Sequence, residues 1–120
     1  MRQVKYKDVT MMKDNIEITA GDAGPGGASL RYRLVHSGPG GDDDLIILNF
    51  QNGDPAKLVN GITNEALLSV VLDRLQGFAK GPYPSRETSI AITKIEEALL
   101  WMFSRSLDRE DRGVLGKLEK

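Results

Sequence analysis

Residues 60–112 read NGITNEALLSVVLDRLQGFAKGPYPSRETSIAITKIEEALLWMFSRSLDREDR. Two apolar repeats run through this stretch, separated by a segment that cannot be helical. In the first, Thr63 suits a helix N-cap and Glu65 suits the positive end of the helix dipole, after which Leu67, Leu68, Val71, Leu72, Leu75 and Phe78 recur at spacings of three and four. The spacing predicts a helix of about four turns ending near Gly77. Pro82 and Pro84 in Lys80-Gly81-Pro82-Tyr83-Pro84 each lack an N–H donor and disfavour helix in the residue before them, so this segment is a turn. Ser85 then caps a longer helix, running to about Asp111 and stopped at Gly113.

The second helix carries apolar residues over more of its circumference than one core needs. Ile90, Ala91, Ile92, Ile95, Ala98, Leu99, Leu100, Trp101, Met102 and Phe103 exceed the stripe of about 100° that a helix lying on one core requires. A small chain has little with which to cover a second stripe. Burial against another copy of the same chain is the expectation, with Ala91 and Ala98 permitting close approach: a homodimer, or a larger symmetric assembly.

Upstream of the hairpin the period changes from helical to two. Residues 15–20 alternate as Ile16 and Ile18 against Glu17 and Thr19, and residues 30–36 as Leu30, Tyr32 and Leu34 against Arg31, Arg33 and Val35. Residues 45–50 form a denser apolar run, expected to be the central strand. Two glycine-rich segments, each containing Gly-Pro-Gly-Gly, separate these runs at residues 21–27 and 37–44 and read as connectors. Neither is followed by a helix or by the Lys-Ser/Thr pair of a phosphate-binding loop, which favours plain hairpin turns over a phosphate cradle. The expected fold is α+β: a three- or four-stranded antiparallel meander over residues 1–59, laid as a β layer against the long hairpin of residues 60–112, with a tail at 113–120, all in one domain.

Composition narrows the function. With 16 Lys+Arg against 17 Asp+Glu and a net charge of −1, the chain lacks the basic excess that non-specific DNA binding draws on. The absence of cysteine removes disulfides, thiolate metal sites and thiol nucleophiles, and no apolar run approaches the ~20 residues of a membrane span. A cytosolic protein, or one made in a host's cytosol, is expected. Asp42-Asp43-Asp44 reads as a solvated acidic loop more readily than as a metal cluster, and the single histidine, His36, gathers no catalytic set around it. No metal, no cofactor and no enzyme is the expectation.

Past Trp101 the second helix turns charged. Arg105, Arg109 and Arg112 stand at i, i+4 and i+7, on one side of the helix, where like charges repel by a few tenths of a kcal/mol per pair. An anionic partner would relieve that, and so would Asp108, Glu110 and Asp111 on a solvated helix end. Both readings stand on spacing alone. Arginine suits phosphate because its planar fork can donate two parallel hydrogen bonds.

The ordered pieces Phe50-Gln51-Asn52-Gly53, Gly61-Ile62-Thr63-Asn64-Glu65, Asp73-Arg74-Leu75-Gln76-Gly77-Phe78, Ser85-Arg86-Glu87-Thr88, Glu96-Glu97-Ala98-Leu99-Leu100-Trp101 and Arg105-Ser106-Leu107-Asp108-Arg109 resemble the helical-hairpin domain of the phage Thoeris anti-defence sponge family, related to the anti-CBASS cyclic-nucleotide sponges. The resemblance spans residues 48–116. It implies a binding protein that sequesters glycocyclic ADP-ribose signals made by TIR-domain proteins without degrading them; some hexameric members also hold cyclic oligonucleotides in separate pockets. It further implies that Phe78 is the aromatic that stacks on the ligand and that Arg105 and Arg109 hold its phosphates. Thr88 stands where the family commonly has Asn after the Arg-Glu pair, a departure that removes hydrogen-bonding groups. Arg74 and Arg86 are candidates for a second nucleotide pocket at an assembly axis, against the alternative of surface ion pairs with Asp73 or Glu87.

The chemistry is coherent on its own terms. A compact dinucleotide-like anion needs a flat apolar surface for its base and fixed cations for its pyrophosphate. Three classes of function follow: a sponge for small-molecule cyclic nucleotide signals in the host cytoplasm, a signal-degrading enzyme, and a small oligomeric adaptor that binds proteins through the apolar hairpin face.

Overall fold

The structure, a computed structural model, describes residues 1–6 and 15–118. It divides into two compact units, Met1–Gly61 and Ile62–Lys120.

The first unit is a four-stranded antiparallel sheet in sequence order: β1 (Arg2–Gln3), β2 (Ile16–Ala20), β3 (Arg31–Ser37) and β4 (Asp43–Asn49). The register pairs Ile18 with Leu34 and Leu34 with Ile46, and Tyr32 with both Ala20 and Leu48. These six residues therefore share one face with Ile16, as the two-residue period requires. Ala20 is fully buried there, and the Tyr32 ring meets Phe50 edge to face at 5.7 Å.

Residues 45–50 are not the central strand. β4 lies at the end of the strand order, and Leu45 and Ile46 are exposed. Apolar density suggests a position between neighbours, but β2 and β3 occupy the middle although they alternate with polar residues. Asp43 and Asp44, next to those exposed side chains, place charge at the start of this edge.

Both Gly-Pro-Gly-Gly segments join neighbouring antiparallel strands. In the second, a single 3₁₀ turn spans Pro39–Gly41, and Gly40 and Gly41 take φ of 78° and 89°, which side-chain-bearing residues rarely adopt. His36 faces Asp44 across β3 and β4, Nε2 to Oδ2 3.5 Å. After β4, residues 51–60 close by reciprocal amide bonds. The Gln51 side chain donates to the Leu58 carbonyl at 2.8 Å and accepts from the Asn60 N–H at 2.9 Å, while the Asn60 side chain accepts from the Asn52 N–H and donates to its carbonyl, both at 2.8 Å.

The second unit is a helical hairpin, α1 (Asn64–Lys80) and α2 (Arg86–Asp111). Thr63 and Ser85 cap them, their hydroxyls accepting from the N–H groups of Ala66 and Thr88 at 3.1 Å each. Gly77 does not end α1. It stays helical, and the helix stops at Gly81, whose N–H bonds the Phe78 carbonyl ahead of Pro82.

Along α2 the half-buried stripe is Ala91, Ile92, Ile95, Ala98, Leu99 and Met102. The opposite face is not apolar throughout. From Arg86 to Glu97 it presents Ser89, Thr93, Lys94 and Glu97 beside a lone exposed Ile90, and only from Leu100 does it become apolar, with Leu100 68%, Trp101 76% and Phe103 62% exposed and Leu107 exposed beyond them. The surplus of apolar residues therefore collects into one patch at the C-terminal half of the helix. Among the described residues no helix is long and apolar enough to cross a membrane.

A Cβ at Gly61 would lie 2.5 Å from the Phe50 carbonyl carbon, 2.6 Å from the Asn49 oxygen and 2.7 Å from the Gln51 nitrogen. All three are backbone atoms that cannot rotate aside, so Gly61→Ala is expected to destabilise the first unit by roughly 1–3 kcal/mol, measured by chemical denaturation. Gly26→Ala, which meets nothing within 4 Å, is the control and should unfold as the parent does.

Candidate functional site

The end of the hairpin that carries the turn gathers four of the six candidate residues. Phe78 lies in the last turn of α1 with its ring exposed, and the Arg74 guanidinium, one turn earlier, sits over that ring at 5.6 Å from its centroid. A cation held over an aromatic face at an exposed site contributes about 0.5–1 kcal/mol. Arg74 and Phe78, expected in separate pockets, are thus in direct contact on one exposed surface. Val70 and Val71 extend it as exposed apolar neighbours.

Across the turn, Thr88 is the third residue of α2 and belongs to its cap. Its N–H donates to Ser85 Oγ, and the Ser85 hydroxyl donates to Thr88 Oγ1 at 2.9 Å. The pair occupies the two positions of a capping box with a hydroxyl in place of the usual carboxylate or amide. The Thr88 oxygen is thereby used as an acceptor and its own O–H stays available as a donor. Arg86 is exposed in the first turn of α2, where the helix dipole opposes a cation. Among the described residues it makes no ion pair, so the alternative of a salt bridge to Asp73 or Glu87 is not what the structure holds.

At the far end of α2 the three arginines have three different environments. Arg112 Nε pairs with Asp108 Oδ2 at 3.1 Å. Arg105 is exposed and makes no hydrogen bond or ion pair among the described residues. Arg109 is buried, 9% exposed, and its Nη2 donates to the carbonyls of Val114 and Lys117, each at 2.9 Å.

The turn that brings those carbonyls back begins at Gly113, with φ of 70°. The Gly113 N–H bonds the Glu110 carbonyl at 3.0 Å and the Val114 N–H bonds the Arg109 carbonyl at 2.9 Å, the paired bonds of a Schellman motif, with Val114 buried as its apolar member. Arg109 and Val114 therefore hold each other twice, backbone to backbone and guanidinium to carbonyl. No buried side-chain nitrogen or oxygen among the described residues lacks a partner, so the Arg109 nitrogens that do not contact the tail reach solvent.

The two ends are well separated. Thr88 and Arg105 lie on one helix, and their 17-residue interval corresponds to about 26 Å along its axis. The aromatic end and the arginine end of one chain stand at opposite ends of α2.

Residues 43–104 match the family described as Acb2/Tad1, hairpin domain. A relative, Thoeris anti-defense 1 from Bacillus phage SBSphiJ7, is 39% identical over 107 residues, covering 80% of this chain and 75% of its own. The chain belongs to the Acb2/Tad1 hairpin family. The family match begins in β4, takes in both helices as far as Ser104 and thus contains Phe78, Thr88, Arg74 and Arg86. It ends one residue before Arg105, so Arg105, Arg109 and the tail lie beyond it.

The residues that sequence reasoning missed at this site are Val114 and Lys117. They act through main-chain carbonyls, which no side-chain pattern advertises; the available signal was Gly113 with an apolar residue directly after it, the signature of a Schellman close. Its burial gives Arg109 a structural part. Arg109→Ala is expected to lower the stability of the hairpin by roughly 1–3 kcal/mol, because two buried or half-buried carbonyls lose a charged donor. Amide exchange at Val114 and Lys117 should accelerate in that variant, read by hydrogen–deuterium exchange, whereas Arg105→Ala should stay within about 0.5 kcal/mol of the parent.

Proposed function

We propose that this chain is a phage anti-defence protein that captures cyclic nucleotide immune signals in the host cytoplasm, glycocyclic ADP-ribose first among them, and holds them without degrading them. The observation that carries the reading is kinship with a relative named for Thoeris anti-defence, over a hairpin that exposes a phenylalanine ring and a lone arginine. The ring offers a stacking surface for a nucleobase, Arg105 and Arg109 offer charged donors for a pyrophosphate, and the Thr88 hydroxyl offers a neutral donor for a ribose. Arg74 and Arg86, also free of ion pairs, supply positive charge for a second nucleotide pocket where copies of the chain meet.

The length of α2 makes the pocket a property of an assembly. About 26 Å separates Thr88 from Arg105, more than one cyclised ADP-ribose spans, so the aromatic end of one copy must meet the arginine end of another. The exposed patch of Leu100, Trp101, Phe103 and Leu107, which surrounds Arg105 in sequence, suits that second copy. A dimer is the minimal assembly, and a hexamer would repeat the same contact.

Two measurements test the reading. Light scattering at micromolar concentration should give at least twice the monomer mass; a monomer would refute the shared pocket. Calorimetry with glycocyclic ADP-ribose isomers should show binding that Arg105→Ala weakens about 30-fold or more, since loss of a charged partner to a desolvated anion costs roughly 2–5 kcal/mol. Heat release of the bound ligand should return it intact, and a cleaved product would replace capture with catalysis.

A further inference from the structure

We propose that the segment after α2, residues 113–117, is the positioning element of the phosphate-binding site: it fixes the Arg109 guanidinium so that the donors facing solvent are already aimed when an anion arrives. The inference rests on the assignment of Arg109 to the ligand under the proposed function, and adds to it the part played by the tail.

The geometry carries it. A free arginine side chain has many rotamers, and immobilising it on binding has an entropic cost that lowers affinity. Here that ordering has already occurred. Arg109 Nη2 is spent on two carbonyls, those of Val114 and Lys117, each at 2.9 Å. The Lys117 N–H bonds the Val114 carbonyl at 2.9 Å, so the two acceptors are held to each other as well. Val114 is anchored in turn by its buried side chain and by its N–H on the Arg109 carbonyl. A guanidinium has five N–H donors, and the Nη2 group accounts for two of them; those on Nε and Nη1 remain, on the part of the fork away from the tail. No carboxylate touches Arg109 among the described residues, so its charge is met only by carbonyl dipoles. An anion placed on the remaining donors would supply the missing countercharge to a cation that is both fixed and partly desolvated. Arg105, with no such clasp, has its full rotamer freedom and can close on the ligand after it lands.

Gly113 allows the tail to be displaced without touching Arg109, Val114 or Lys117. Its φ of 70° suits glycine, tolerates asparagine and is strained for valine, and nothing stands within 4 Å of where its Cβ would be. Gly113→Val should therefore free the clasp, and Gly113→Asn should keep it.

The test uses the full chain and glycocyclic ADP-ribose isomers as probes. Calorimetry should show Gly113→Val binding roughly 3- to 10-fold more weakly than the parent, the scale expected when one rotamer-rich side chain must be ordered on binding, while Gly113→Asn binds as the parent does. In an Arg109→Ala background Gly113→Val should change affinity no further, because the tail acts through that side chain. Nitrogen-detected NMR of the unliganded protein should find slow rotation of the Arg109 guanidinium in the parent and in Gly113→Asn, and fast rotation in Gly113→Val. If the parent binds an isomer and Gly113→Val, folded by circular dichroism, binds it equally well, the inference fails and the functional reading stands. An equal loss in the Arg109→Ala background also overturns it. A parent that binds no isomer ends the functional reading, and the inference with it.

Discussion

Two helices in a hairpin can offer each other one face apiece, and the unit formed by α1 and α2 has more apolar surface than that pairing can use. The half-buried stripe through Ile92, Ile95, Leu99 and Met102 takes up the helical period of the sequence. Leu100, Trp101, Phe103 and Leu107 remain outside it, and among the described residues no large side chain is fully buried. Covering an exposed side chain of this size contributes up to roughly 1.5–3 kcal/mol, so the four together approach the scale of a small domain's stability. Under the proposed assembly that surface would be covered by the same contact that completes the pocket, so folding and ligand capture would depend on one interface.

The distribution of chemistry along α2 follows from the same constraint. Its N-terminal half is polar on the outside and its C-terminal half apolar, while the exposed aromatic of α1 lies at the turn. A ligand that needs both the Phe78 ring and the Arg105–Arg109 pair finds them at opposite ends of the hairpin. Symmetric pairing of two such hairpins is the economical way to bring unlike ends together, since one twofold contact creates two equivalent sites.

Much of the hairpin was legible because its signals are local. Thr63 and Ser85 cap the helices that follow them, and Gly113 ends the second, since hydroxyl caps and positive-φ glycines act within three or four residues of themselves. Gly77 was misleading because glycine lowers helix propensity by only about 1 kcal/mol, which packing of Leu72, Leu75 and Ala79 outweighs, whereas Pro82 cannot be outweighed. The alternation of residues 15–20 and 30–36 gave β2 and β3, and the meander order was expected, but β1 carried no such signal and β4, expected at the centre, lies at the edge. Strand order is a question of which backbones pair, and the apolar density of residues 45–50 does not encode it. At the site, Phe78 and Arg74 stand at i and i−4 and their contact was available from spacing, but each was read by itself.

The arginines at the end of α2 show why spacing alone could not decide between a phosphate clasp and a solvated charged end. Four residues on a helix advance the direction of a side chain by about 40°, and seven bring it back to about 20° short of the start. Arg105 and Arg112 therefore point in nearly the same direction, along one edge of the half-buried stripe, while Arg109 is rotated toward its middle. That rotation is enough to bring Arg109 under the returning tail, where carbonyls rather than carboxylates receive it. Arg112 is left to Asp108, and Arg105 keeps all its donors. The like-charge strain implied by the spacing is thus relieved at two of three positions by contacts within the chain, one ionic and one dipolar. The third is the position where an external anion has nothing to displace.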